Sequence, residues 1–146
     1  MEYRRLTETD LQSLLALYKQ LQPDDEDPSV EDSRIVWQEI EKDPNIHYYG
    51  AVDHGRVVST CYAVYIPNLT RNNRGVCYIE NVITDKDYRN RGLASKVIDM
   101  AVSFAKEKGC YKVILQSGIA RVDAHRFYEN KGFDGKSKKA FDMRLE

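Results

Sequence analysis

Between Val76 and Leu115 the chain changes its apolar period twice, and that change constrains the fold more than any other feature. Val76 to Thr84 is an apolar, β-rich run with one carboxylate, Glu80, inside it. Asp85-Lys86-Asp87-Tyr88 forms a charged turn, and Arg89-Asn90-Arg91-Gly92-Leu93-Ala94 leads into a helix reaching Lys108. Leu93, Val97, Ile98, Ala101, Phe104 and Ala105 recur at helical spacing, and Gly109 is placed to end the helix. Tyr111 to Leu115 is apolar enough for a buried parallel strand. Strand, helix and strand in that order imply a right-handed β-α-β unit.

The turn before the helix carries chemistry of its own. A small-residue turn meeting a helix N-terminus gathers unpaired backbone N–H groups and the positive end of the helix dipole. Such a point binds phosphate or pyrophosphate. Gly92 lets the backbone approach a ligand with no Cβ in the way, Ala94 keeps the next turn thin, and Arg89 and Arg91 add positive charge. The spacing matches neither G-x-x-x-x-G-K-[ST] nor G-x-G-x-x-G.

The remaining elements follow from local signals. Tyr3 to Leu6 is a short strand, and Thr7 with Asp10 resembles a capping box before Leu11, Leu14, Leu15, Tyr18 and Leu21. Gln22-Pro23 ends that helix. Asp24-Asp25-Glu26-Asp27-Pro28 is an acidic loop, and Ser29 with Asp32 opens a second helix carrying Val30, Trp37 and Ile40, closed by Asp43-Pro44. Ile46 to Val52 and Arg56 to Ile66 form a hairpin around Asp53-His54-Gly55. Pro67 to Gly75 is a polar loop. A short helix spans about Asp123 to Lys131 and stops at Gly132, after which Phe133 and then Phe141 to Leu145 close the sheet. The expected fold class is α/β: one domain over residues 1–146, with a mostly antiparallel N-terminal sheet, a parallel β-α-β unit and helices on both faces.

Composition narrows the function. Basic and acidic residues number 22 and 23, for a net charge of −1, so no global basic field points to nucleic acid or an anionic membrane. Cys61, Cys77 and Cys110 are far apart, with no C-x-x-C, so neither a disulfide framework nor a metal site is expected. Cys61 and Cys77 fit buried structural thiols. His47, His54 and His125 form no triad and fit surface or turn positions. Without an apolar leader or a run of ~18 apolar residues, the expected location is cytoplasmic.

Two motifs carry a family resemblance. Arg89 to Ala94 has the form R-x-x-G-x-A, and Ala124 to Phe133 has the form A-x-x-F-Y-E-x-x-G-F. Together, in this order with a strand between them, they resemble the signatures of the GNAT superfamily of acetyl-coenzyme A-dependent N-acetyltransferases, and the element order resembles that family over essentially the whole chain. The resemblance implies acetyl-CoA as cofactor, with coenzyme A as product, and pantetheine lying between splayed fourth and fifth strands. It places Val82, Ile83 and Thr84 along the pantetheine, a free N–H there as oxyanion donor, and the pyrophosphate on Arg89, Asn90, Arg91, Gly92, Leu93, Ala94 and Ser95. Many members have Asn where this chain has Arg121, which would instead reach a cofactor phosphate or face solvent.

Acetyl transfer to an amine needs a polarised thioester, a neutral amine and a proton for the departing thiolate. A carboxylate in a central strand is out of place without a partner. Partial desolvation would raise its pKa, so Glu80 is the candidate base; a structural Glu bonded to neighbouring backbone or Arg is the alternative. Tyr128, at the tyrosine of the second box, is the candidate acid; otherwise Phe127 and Tyr128 are core aromatics.

The acceptor that the resemblance implies is a small-molecule primary amine, with neither nucleic acid nor membrane expected as partner and a homodimer left open. The acidic loop Asp24 to Asp27 would attract a cationic amine, whereas Arg71 and Arg74 would suit an anionic group such as a sugar phosphate. Tyr78 to Val82 and Gly109 to Leu115 also resemble glucosamine-6-phosphate N-acetyltransferases. A second class stays open, an acetyl-CoA-binding regulatory module without turnover, although such a module needs neither Glu80 nor Tyr128. A phosphate-binding domain for another nucleotide is disfavoured, because the chain has neither a Walker-type lysine nor an acidic ribose partner at the Rossmann spacing.

Overall fold

The capping residues predicted at the N-terminus do their work in the computed structural model, which describes residues 1–146. After strand β1 (Glu2–Arg5), the Thr7 N–H donates to the Asp10 carboxylate at 2.8 Å and starts a 3-10 turn that runs into helix α1 (Leu11–Leu21). Arg4 grips the same buried carboxylate with two N–H groups, at 2.8 and 2.9 Å. That bond, reinforced by Thr7, holds the Asp10 carboxyl below its ordinary range against the opposing effect of burial. Ser29 caps helix α2 (Val30–Lys42) by accepting the Asp32 N–H at 2.9 Å.

Strands β2 (Ile46–Asp53) and β3 (Arg56–Ile66) form the predicted hairpin. Its two turn residues, His54 and Gly55, both have positive φ, 48° and 77°, as a two-residue hairpin turn of this hand requires. Next come a single turn α3 (Thr70–Asn73), strand β4 (Val76–Thr84), helix α4 (Leu93–Glu107), strand β5 (Lys112–Leu115) and helix α5 (Val122–Asn130). The sheet order is β1-β2-β3-β4-β5, antiparallel from β1 to β4 and parallel between β4 and β5.

Helices cover both faces. Leu6, Leu11, Leu14, Leu17 and Trp37 bury one face together with Val52, Val57 and Ile83. On the other face the Cys61 thiol donates to the Val97 carbonyl of α4, and the His47 ring stacks on Phe104 at 4.0 Å. Burial pushes the Cys61 thiol up to about 12 and the Cys77 thiol up to about 11, so both are structural. The chain divides into two compact units, Met1–Ile114 and Leu115–Glu146.

Three expectations need correction. His47 is no surface or turn histidine: besides stacking on Phe104, its ring lies 2.9 Å from the Tyr49 hydroxyl and 3.1 Å from the Pro44 carbonyl. The loop before β4 contains a turn in which Arg71, Asn72 and Asn73 all have left-handed φ, near 60°. Residues 133 and 141–145 form no strand, and Phe141, Met143 and Leu145 are 83%, 84% and 93% exposed. Alternation tells which side chains share a face; it does not supply the neighbouring backbone that a strand must pair with.

Candidate active site

Strand β4 breaks its ladder at the position that matters most. Tyr62 of β3 pairs with Glu80 and Thr60 pairs with Ile83, so Cys61 alone faces both Asn81 and Val82. This is a β-bulge, and Asn81 takes the left-handed conformation at φ 52°, which its short polar side chain tolerates better than most. One β4 residue is thereby left out of the ladder. Beyond the bulge the Ser59 and Thr84 hydroxyls hydrogen-bond at 2.8 Å, re-tying the strands. The extra residue also shifts the alternation, so Glu80 before it and Ile83 after it share the face of α1 and α2. Period-two patterning cannot reveal a bulge; the polar pair Glu80-Asn81 inside an apolar run was its one trace.

Glu80 is half-buried at the end of a row of rings. Across the sheet, Tyr48 pairs with Tyr62 and Tyr62 with Glu80. The Tyr48 and Tyr62 rings stack at 4.7 Å, and Trp37 of α2 meets Tyr48 edge-on at 5.2 Å. Burial, and then the charge on Glu80, raise the phenol pKa values of Tyr62 and Tyr78. The Tyr18 phenol is raised well above its ordinary value by burial, with Tyr48 and Tyr62 beside it. Asn81 is a polar neighbour to Tyr18, but no hydrogen bond of normal geometry joins them: the Tyr18 hydroxyl and the Trp37 Nε1–H are both buried without a partner. None of these five aromatic residues was singled out by sequence for chemistry, because each also fits a core position.

The turn after β4 is held by Asp85. Its carboxylate accepts the Asp87 N–H at 2.9 Å and Gln20 Nε2–H at 3.1 Å, and it pairs with Arg56. Burial would raise this carboxyl, but those partners hold it below the usual range. Gln20 also accepts the Lys86 N–H at 3.0 Å, so α1 is fastened to the turn. Tyr88 donates to Asp53 at 2.9 Å, and Arg91 lies over the Tyr88 ring at 4.8 Å while donating to the Asp87 carbonyl. Arg89 donates to the Thr84 carbonyl at 3.4 Å. Asn90 and Gly92 have positive φ, 61° and 77°, and a Cβ built on Gly92 would meet no heavy atom within 4 Å. Leu93 and Ala94 then stand in the first turn of α4, where no helical carbonyl reaches their N–H groups. Val82, Ile83 and Thr84 thus end β4, and Arg89 to Ser95 run from the following turn into the first turn of α4.

Tyr128 and Arg121 belong to the second compact unit. Tyr128 lies on α5 with its ring edge-on to Phe127 at 5.2 Å and to Phe133 at 6.0 Å, and its carbonyl accepts the Phe133 N–H. Arg121 is exposed at the start of α5, where its carbonyl accepts the His125 N–H. In the first unit, Arg71 and Arg74 place their guanidinium groups 5.4 and 6.0 Å from the Tyr111 ring centre. The acidic loop is tied to α1 through Lys19, 3.1 Å from the Asp27 carboxylate. Two surface clefts, of about 500 Å³ beside Gln20 and Arg56 and about 310 Å³ between Tyr49 and Phe104, lie away from Glu80.

The mixed five-stranded sheet, with a bulged fourth strand feeding a glycine-started helix, is an α/β domain of the acetyltransferase class. The chain belongs to the acetyltransferase (GNAT) family, whose sequence pattern matches residues 11–133. It is 37% identical to a glucosamine 6-phosphate N-acetyltransferase of Trypanosoma brucei brucei over 63% of this chain and 58% of that protein. The chain therefore spans little more than half the length of that curated relative. Among solved structures, a protein of Agrobacterium tumefaciens is 33% identical, with a TM-score of 0.94 over 99% of both chains. The glucosamine-6-phosphate N-acetyltransferase of Arabidopsis thaliana is 25% identical, with a TM-score of 0.84 over 97% of both chains.

Proposed function

We propose that the protein transfers an acetyl group from acetyl-coenzyme A to the primary amine of a small molecule. The observation that carries this is the geometry of β4: a carboxylate at Glu80, a bulge at Asn81-Val82 and an open helix start at Gly92 follow one another along a single backbone. The cofactor's pyrophosphate rests on the amides from Arg89 to Ser95, and its pantetheine runs along Val82, Ile83 and Thr84. The open space over Gly92 and the residue outside the ladder fit those two parts of the cofactor.

The chemistry is a direct attack. The amine nitrogen bonds to the thioester carbonyl carbon as its proton passes to Glu80, directly or through water. Negative charge gathering on the carbonyl oxygen is met by a free backbone N–H of the Val82-Ile83-Thr84 stretch. The C–S bond then breaks, and the thiolate takes a proton from the Tyr128 hydroxyl, a role that rests on its place in the A-x-x-F-Y-E box. Arg121 contacts a cofactor phosphate from the start of α5.

For the acceptor, an amino-sugar phosphate is the first choice. Support comes from the relatives named glucosamine 6-phosphate N-acetyltransferase and from the exposed cations Arg71 and Arg74. The acidic loop is the weaker guide, since Lys19 already answers part of its charge. Thermal-shift titration with acetyl-coenzyme A, followed by thiol release on a panel of amines, tests this reading. Stabilisation by the cofactor with amine-dependent thiol release supports it. Stabilisation with no release for any amine favours a regulatory module without turnover.

A further inference from the structure

The turn between β4 and α4 has a conformation that its own residues do not enforce. Asn90 and Gly92 both take left-handed φ, 61° and 77°. Asn and Gly tolerate that region better than other residues, but they also leave it readily, so the turn persists where neighbours fix it. The fixing groups come from distant parts of the sequence. Asp85, 2% exposed, accepts the Asp87 N–H at 2.9 Å and the Gln20 Nε2–H at 3.1 Å and pairs with Arg56. Its own backbone N–H donates to the Val58 carbonyl at 2.8 Å. Gln20 also accepts the Lys86 N–H at 3.0 Å. The Tyr88 hydroxyl donates to Asp53 at 2.9 Å, and the Arg56 and Arg91 guanidinium groups lie 5.8 and 4.8 Å from the Tyr88 ring centre. Helix α1 and the β2-β3 hairpin together therefore grip residues 85–88.

We infer that Asp85 is a positioning residue for the cofactor: with Gln20, Arg56 and the Tyr88–Asp53 pair, it holds the turn so that the amides from Arg89 to Ser95 stand ready before acetyl-coenzyme A arrives. The inference rests on the acetyltransferase reading for the ligand those amides take, and on the hydrogen bonds for the hold. A carboxylate just ahead of an anion site opposes the ligand's charge, so charge attraction is not its use. Buried and paired with Arg56, it acts through the turn rather than on the cofactor. When the hold is removed, part of the interaction free energy goes into ordering the turn at each binding event. The loss falls on cofactor affinity and not on acetyl transfer, so the KM for acetyl-coenzyme A rises while kcat holds.

Three substitutions separate this role from general stability. Asp85→Asn keeps the shape of the side chain and removes the charge that pairs with Arg56. Gln20→Ala removes both ties to α1 from an exposed position and leaves the Asp85–Arg56 pair in place. Asp10→Asn is the matched control: Asp10 is also a buried carboxylate gripped by an arginine and a backbone N–H, but it stands before α1, outside the turn.

The experiment measures coenzyme A affinity by calorimetry and melting temperature for the parent and all three variants, then KM and kcat with acetyl-coenzyme A. We expect Asp85→Asn to bind coenzyme A about tenfold or more weakly, the usual worth of hydrogen bonds to a buried charge, and Gln20→Ala about threefold to tenfold more weakly. Asp10→Asn should lose melting temperature as well, yet bind within about twofold of the parent. In turnover, Asp85→Asn and Gln20→Ala should raise the KM for acetyl-coenzyme A and keep kcat within about twofold. The inference is overturned if Gln20→Ala binds coenzyme A as the parent does, if Asp10→Asn loses as much affinity as Asp85→Asn, or if kcat falls while KM stays. A parent that binds no coenzyme A would sink the acetyltransferase reading and this inference with it, whereas parent binding that the turn variants leave unchanged sinks the inference alone.

Discussion

Gly92 and Gly109 flank the same helix and allow a controlled test of the pyrophosphate site. Both have left-handed φ, 77° and 71°, and a Cβ on either would meet nothing within 4 Å. Alanine at each position is therefore opposed by backbone strain alone, ~1–2 kcal/mol for a non-glycine residue in this conformation. Stiffening of the unfolded chain returns ~0.4–1 kcal/mol of that. The net loss is on the order of 1 kcal/mol, or ~2–4 °C in melting temperature for a chain near this length. The two substitutions should thus be equal in the free protein. Under the proposed site they should differ with ligand, because the cofactor's pyrophosphate would approach Gly92 and not Gly109. Isothermal titration with acetyl-coenzyme A should show Gly92→Ala weakened ~10-fold or more, equivalent to ~1.4 kcal/mol, and Gly109→Ala unchanged. Gly92→Glu, which adds bulk and negative charge, should abolish binding and remain folded. Equal affinities for the two alanine variants would place the pyrophosphate elsewhere.

Further outcomes follow from the other residues. Tyr128→Phe should lower kcat by ~10²–10⁴ with little change in cofactor affinity, whereas a fall below about threefold with chemistry rate-limiting would make Tyr128 a packing residue. Glu80→Gln should lose most activity at low pH and recover part of it as pH rises and the acceptor deprotonates itself; a flat ratio to the parent with a lowered melting temperature would mark a structural Glu. Asp10 and Asp85 both have folded-state carboxyls below their ordinary value, so the stability they add is present above pH ~4 and is lost as pH falls through their folded-state values. Urea midpoints of Asp10→Asn should accordingly fall below the parent at neutral pH and converge with it in acid; a gap that persists unchanged at low pH would contradict that sign.

Much of the fold was legible because its signals are local. The Thr7 and Ser29 caps, the His54-Gly55 hairpin turn and the apolar face of α4 each depend on a few adjacent residues, and each appears where the spacing puts it. Glu80 and the turn around Gly92 were legible for the same reason: a carboxylate in an apolar run and a glycine before a helix are odd in sequence. What escaped depends on distant partners. The β4 bulge exists only relative to β3, and the aromatic row assembles from α2, β2 and β3. Asp85 looked like one more turn acid, yet it is buried among Gln20 and Arg56, residues 65 and 29 positions away. The absent C-terminal strand is the converse case, a correct period with no ladder.

The most direct test of the central claim is to incubate the protein with acetyl-coenzyme A and glucosamine 6-phosphate and to follow both products. Thiol release and formation of the N-acetylated sugar would be measured in the same sample. The account predicts equal amounts of coenzyme A and acetamide, formed in proportion to enzyme and strongly reduced in Glu80→Gln at low pH. Saturable cofactor binding with no acetamide from this or any other primary amine would contradict it.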